Sequence, residues 1–134
     1  MVNLQDKLIA ARFLCTSGHL TAVLLLFATI ENNIEVSLTD GASKSDAQTE
    51  ANSALVFACL CFFLDYCGMI FGNTLFNASV NFMQIFFHAV GSIFLCWVIT
   101  ENWQYTSLWP IIASTSIPTA IVELGIGLNN YVMK

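Results

Sequence analysis

Charge is scarce in this chain. Lys and Arg number 4 and Asp and Glu 9, so charged residues make up 10% of 134, against about 25% in an ordinary soluble domain. So few charges cannot cover the surface of a soluble core rich in Phe, Leu, Ile and Val. With only 4 basic residues among 9 acids, the chain also lacks the basic footprint of a nucleic-acid binder. Catalytic signatures are missing as well: no HExxH motif occurs, and His19 and His88 lie far apart without a clear third metal ligand. There is no internal repeat and no low-complexity tract.

Apolar sequence fills the space that charge leaves. The chain is 57% hydrophobic, its mean hydropathy is +0.72, and these values name lipid as its solvent. Four continuous apolar stretches, at about 8–30, 51–71, 80–100 and 107–131, are each long enough at 1.5 Å per residue to cross a hydrocarbon core of roughly 30 Å. Because the runs do not alternate with a period of two, they predict helices rather than barrel strands. The fold class expected is an all-α integral membrane protein, with one domain spanning 1–134 and four transmembrane helices in an antiparallel bundle. Connectors at 72–79 and 101–106 are short enough to return the chain directly.

Residues 31–50 hold most of the acids against Lys44 and read as an exposed loop without a core of its own. Lys7 and Arg12 flank the start of the first span and Lys134 ends the chain, so the positive-inside rule places both termini in the cytoplasm and the acidic loop outside it. Four spans require the termini to share a side, and the two assignments agree. The first span is too long for a secretory h-region, and Ala28-Thr29-Ile30 lacks a small-x-small cleavage pattern, so it is expected to remain as an anchor. Asn77-Ala-Ser79 satisfies the glycosylation pattern but faces the cytoplasm in this topology and should stay unmodified.

Cys15, Cys59, Cys61, Cys67 and Cys96 all fall inside apolar spans, which speaks against a disulfide framework. The Cys59-Leu-Cys61 pair sends its thiols to different helix faces and reads as packing rather than metal binding. No cofactor is implied.

The informative residues are Arg12, His19, Asp65, His88 and Glu123, because an ionisable side chain inside a membrane is costly and normally faces a bundle interior, a cavity or an interface. Each lies on a helical stripe of small or polar residues: Arg12, Cys15, His19 and Ala22; Ala54, Ala58, Cys61, Asp65, Gly68 and Gly72; Asn81, Gln84, His88 and Gly91; Ser116, Ala120, Glu123 and Gly127. Gly68-x-x-x-Gly72 is the spacing that lets helices approach closely. Counted from the ends that hold the termini, Asp65, His88 and Glu123 lie at similar depth, roughly 10–13 Å in, with Arg12 shallower and His19 deeper. The expected arrangement is a buried polar cluster in which Arg12 neutralises Asp65 or Glu123 and the histidines donate to carboxylates or backbone carbonyls.

The same residues admit two other readings, an interface with another membrane protein and a proton or ion path; matched broken helices in inverted repeats, common in transporters, are not seen. Pro118 sits inside the fourth span and should disturb it locally, whereas Pro110 lies near its start, where it is easily tolerated. Trp97, Trp103, Tyr105 and Trp109 gather around the third connector as an interfacial aromatic belt.

Several spaced positions carry a resemblance. Arg12-Phe-Leu with His19-Leu, Asp65 followed by Gly68 and Gly72, Leu75-Phe-Asn-Ala-Ser79, His88, Glu101-Asn-Trp103, Thr106, Trp109 and the run Ile117-Pro-Thr-Ala-Ile-Val-Glu123 resemble the transmembrane protein 107 family over nearly the whole chain outside the acidic segment. The resemblance implies a non-enzymatic component of the ciliary transition zone that helps assemble the Meckel syndrome complex and gates membrane-protein entry to the cilium. It implies as partners tectonic proteins, meckelin and other tetraspan transition-zone proteins, besides membrane lipid. A small proton-coupled transporter and a trafficking adaptor of the endoplasmic reticulum are the alternatives.

The charge argument makes a testable statement about topology. In sealed, cytosol-side-out vesicles a tag at Lys134 should be digested by added protease and a tag beside Ser43 protected. The reverse pattern overturns the orientation and exposes Asn77 to glycosylation.

Overall fold

A polypeptide in hydrocarbon has no water to satisfy its amide and carbonyl groups, so each continuous apolar run closes its own hydrogen bonds as a helix. The computed structural model describes residues 4–38, 43–72 and 74–133. They form α1 (Leu4–Ser37), α2 (Lys44–Ile70), α3 (Ala78–Thr100) and α4 (Leu108–Val132), the last entered through one 3₁₀ turn at Tyr105–Ser107. All four helices are long and apolar enough to cross a bilayer. The protein is therefore an all-α, four-span membrane protein. Lys134 and residues 39–42 within the acidic segment, on which the charge argument drew, lie outside the described residues.

Around the bundle the order is α1, α3, α4, α2, with α1 packed most extensively on α3 and α2 on α4. The residue numbers that meet across these two pairs rise together: Arg12 with Asn81 and Asn33 with Val98, Phe57 with Trp109 and Asp65 with Thr119. Both pairs are therefore parallel, and the antiparallel neighbours α1/α2 and α3/α4 have the lesser contacts. The short connector between α2 and α3 crosses a diagonal of the bundle, and those two helices meet only through long side chains at its centre.

Local chemistry sets the helix ends. The Ser43 side chain accepts from the Asp46 amide at 3.3 Å to start α2, and the Asn77 side chain accepts from the Ser79 and Val80 amides at 3.1 and 3.3 Å to start α3, both as N-caps. Gly72, at φ +70°, follows the end of α2 in the left-handed conformation that favours glycine. It terminates the helix and is not a second packing glycine beside Gly68; the expected Gly68–Gly72 packing pair reduces to Gly68. Helix α4 continues through Pro118, and within its middle turns Thr115 and Thr119 donate back to the carbonyls of Ile111 and Ser116.

The acidic segment is shorter as a loop than its composition suggests. Residues 31–37 complete α1 and 44–50 begin α2, so only 38–43 remain between them. A seam explains the extension: Asn33, Ile34, Ala47 and Ala51 are buried while Glu31, Glu35, Asp46 and Glu50 are exposed. Lys44 Nζ lies 3.3 Å from Glu35 and 3.7 Å from Glu31 on the exposed side, a pair of contacts worth little by itself.

The interior has two zones. Toward the end where α1 meets α2 and α3 meets α4 it is apolar, built on Val23, Leu26, Ile34, Leu55, Leu95 and Leu108. Toward the terminal end nearly every buried group is polar, from Arg12 and His19 to Asp65, Gln84, His88 and Glu123. The outside is apolar, with Leu14, Phe63, Phe82 and Ile121 well exposed as a lipid-facing surface requires. At the apolar end Trp97 stacks on Trp103 with centroids 5.7 Å apart, and Trp109 lies 6.0 Å from Phe57; Tyr105 packs against the core.

Asn33 joins the zones' outer end. Its amide Nδ2 donates to Val98 O at 2.9 Å, near the C-terminus of α3, and to Trp103 O at 2.8 Å in the connector beyond it, tying α1 to the end of α3. Asn33→Ala should lower unfolding stability in detergent by about 1–3 kcal/mol. A melting midpoint equal to wild type would show that the α3 end does not depend on it.

Candidate functional site

The residues that carry possible chemistry converge on the polar half of the core. Arg12 enters from α1 and is fully buried. Its guanidinium Nη2 donates to Glu123 Oε1 on α4, and Nη1 donates to Asn81 Oδ1 at 2.9 Å and Thr74 Oγ1 at 3.0 Å. The Thr74 hydroxyl in turn donates a hydrogen bond to Glu123, 2.8 Å from Oε1 and 3.0 Å from Oε2. One hydroxyl therefore accepts from the cation and donates to the anion. Gln84 Nε2 adds a further donor to Glu123 Oε1 at 3.0 Å.

A second subset continues deeper. Gln84 Oε1 accepts from His88 Nε2 at 3.1 Å, and the same ring nitrogen lies 3.2 Å from Asp65 Oδ2. His88 Nδ1 lies 3.2 Å from His19 Nδ1, so that one ring donates to the other. Thr119 also donates to Asp65 Oδ2, at 3.0 Å. The imidazoles are held by Phe62, which meets His19 edge-on at 4.9 Å and stacks on His88 at 5.4 Å.

Two glycines make room for this arrangement. A Cβ on Gly68 would fall 1.6 Å from Glu123 Oε2, and one on Gly91 would fall 2.2 Å from the His19 ring. Neither group can easily retreat, since Glu123 is fixed by Arg12, Thr74 and Gln84 and His19 by His88 and Phe62. Both contacts join polar groups to backbone across parallel helix pairs.

Arg12, His19, Asp65, His88 and Glu123 are thus all brought into one hydrogen-bonded network. The choice the sequence left open goes to Glu123 as the counter-ion of Arg12, while Asp65 serves His88 and Thr119. Pro118 borders the site without joining it, and Trp97, Trp103, Tyr105 and Trp109 lie at the other end of the bundle. Thr74 and Thr119 were missed as functional positions, and so was Asn33, which fell in the segment read as a loop. Arg12 carried the signal for Thr74: five guanidinium donors require more acceptors than one carboxylate supplies. Asn77 spends its side chain on the α3 cap, and Cys61 is buried while Cys59 is half-buried. Among the described residues no group of three His, Cys, Asp or Glu side chains is placed to hold a metal ion.

The family model for TMEM107, described as a transmembrane protein, matches residues 8–126. The chain belongs to the transmembrane protein 107 family. That match contains every member of the network from Arg12 to Glu123. Transmembrane protein 107 of Rattus norvegicus is 28% identical over 130 residues, covering 95% of this chain and 93% of its own length. The protein of that name in Danio rerio is 26% identical, covering 95% and 96%, and that in Homo sapiens is 28% identical over 132 residues, covering 95% and 93%. No solved structure matches the chain. Family membership therefore describes the whole four-span unit, and the geometry of its interior is read from this structure alone.

A buried ion pair with one member removed leaves the other charge stranded, at a cost of about 3–5 kcal/mol, whereas removing both charges is far cheaper. Glu123→Gln and Arg12→Gln should each lower the melting midpoint in detergent and the steady-state protein level, and the double variant should recover part of the loss. Additive losses in the double variant would show that the two charges do not depend on each other.

Proposed function

We propose that this member of the transmembrane protein 107 family is a non-enzymatic component of the ciliary transition zone, which assembles with the Meckel syndrome complex and helps gate membrane-protein entry to the cilium. The observation that carries the reading is the family match across 8–126, supported by relatives aligned over nearly their full length. Its implied partners are tectonic proteins, meckelin and other membrane proteins of that zone. In this reading both termini are cytoplasmic, and the work is done by helix faces and short connectors rather than by an active site.

The interior suits such a role. Arg12 is fully buried and Glu123 nearly so, at the inner wall of the α2/α4 groove, and their pairing holds α1 and α4 in register across the diagonal while leaving the lipid-facing surfaces for partners. The network acts as a positioning device: it sets which faces α2 and α4 present outward. A specific observation favours a second reading, a proton path, because Glu123, Gln84, His88 and His19 form an unbroken hydrogen-bonded series. Against it, the fixed charge of Arg12 holds one end of the series, and at the other end His19 Nε2 is buried without a hydrogen-bond partner among the described residues.

A tagged copy at native level should concentrate as a ring or paired spots between basal body and axoneme, and its loss should let membrane proteins leak across that boundary. A reticular distribution in ciliated cells favours a trafficking adaptor, and uniform ciliary labelling with an intact barrier removes the gating role. Purified protein in liposomes that supports a pH-dependent flux, abolished by Glu123→Gln, transfers the assignment to a proton-coupled transporter.

A further inference from the structure

Helices α1 and α2 part at the terminal end of the bundle and leave a groove of about 550 Å³, within the roughly 300–1,000 Å³ typical of small-molecule sites. Ile9, Ala10 and Phe13 of α1 form one wall, and Tyr66, Met69 and Ile70 of α2 the other. Leu75 closes it below, where its carbonyl accepts from Gln5 Nε2 at 3.2 Å. Asp6 is the charged residue of the lining, and it forms no ion pair among the described residues.

Depth determines what reaches this groove. The apolar part of α1 begins at Leu8, so Asp6 lies about one turn or less outside the hydrocarbon boundary, at headgroup level, and Phe13 lies roughly 10 Å deeper at 1.5 Å per residue. The molecule that offers a polar head at the first level and an apolar chain at the second is a bilayer lipid. A second transmembrane helix fits less well, because helices dock in lipid on small residues that let backbones approach, and the walls here are Ile, Phe, Tyr and Met with Ala10 alone being small.

The carboxylate selects among lipids. A primary ammonium carries both the complementary charge and N–H donors for a charge-assisted hydrogen bond to Asp6, which a quaternary choline ammonium cannot donate. We propose that the α1/α2 groove is a binding site for a phospholipid with an ethanolamine headgroup, its ammonium on Asp6 and one acyl chain lying along the groove over the Phe13–Tyr66 pair. Tyr66 is held in place for this by its hydroxyl, 2.8 Å from Ser17 Oγ, and by its ring, edge-on to Phe13 with centroids 6.3 Å apart. This inference is independent of the ciliary reading and rests on the groove alone.

The test uses the full-length protein in phosphatidylcholine nanodiscs doped with a trace of phosphatidylethanolamine or phosphatidylcholine bearing a diazirine in mid acyl chain. After illumination, the labelled residues are mapped by mass spectrometry. The ethanolamine probe should label the Phe13 and Tyr66–Ile70 peptides about two- to fivefold more than the choline probe, the size of effect expected of one partly exposed ion pair. Asp6→Asn should bring the two probes to parity there. Ala10→Trp, which fills the groove from an exposed position, should abolish groove labelling by both probes while labelling around Phe63 and Phe82 persists. Equal labelling by the two probes in the wild type overturns the proposal, as does an enrichment that survives Asp6→Asn. Displacement of the ethanolamine probe by a sterol at equal mole fraction, or cross-links between two copies through Phe13, would assign the groove to a different occupant and also overturn it.

Discussion

A guanidinium and a carboxylate held together inside a lipid-facing bundle govern the rest of this structure. Stripping either charge of water costs several kcal/mol even after relaxation, and mutual attraction offsets that only when the remaining donors and acceptors are filled. Arg12 and Glu123 stand on helices that are diagonal neighbours, so their pairing passes through the bundle axis. Around them Thr74, Asn81 and Gln84 supply further partners to the two Nη atoms and the carboxylate, while Arg12 Nε has none among the described residues. The connector after α2 must therefore carry Thr74 inward across the diagonal, and α2 must offer the bare backbone of Gly68 to the carboxylate.

The two zones of the core follow from the same economy of solvation. In lipid, burying another Leu gains little over leaving it against acyl chains, so specificity between helices comes from close packing and hydrogen bonds. The polar half supplies the hydrogen bonds and fixes helix order and rotation. The apolar half supplies close packing, helped by Ala22, Ala47, Ala51, Ala54 and Ala58. Where the helices diverge, the surface left behind differs in kind. The α2/α4 side is walled mainly by Leu, Phe and Ile with Glu123 at its inner face, and the α1/α2 side is a bulky-walled groove with a carboxylate at its mouth.

Much of this was readable before folding, and the failures have identifiable causes. The four spans emerge from continuous hydropathy because the bilayer imposes a minimum length on every crossing. The ionisable residues identify the polar core because their cost in lipid leaves them few positions. Residues 31–50 read as a loop because acids and turn formers dominate the composition, while the seam that makes 31–37 and 44–50 helical is only Asn33, Ile34 and Ala47. Gly72 fits the spacing of a packing motif, yet helix α2 ends just before it, and its positive φ serves that ending. Thr74 is invisible to any pattern within the connector, since its role depends on partners from α1 and α4.

The sequence by itself determined the solvent, the number of crossings and the residues that must avoid lipid, because each follows from the cost of placing a given group in hydrocarbon; its spaced motifs carried the likeness to the family. Tertiary structure decided which carboxylate answers Arg12, that the most extensive helix contacts are parallel, and that His88 links Gln84, Asp65 and His19. Those choices depend on angles and distances between helices that are remote in sequence, where a few ångströms separate a hydrogen bond from a stranded charge. The burial cost is local to each residue, but its compensation is shared among four helices.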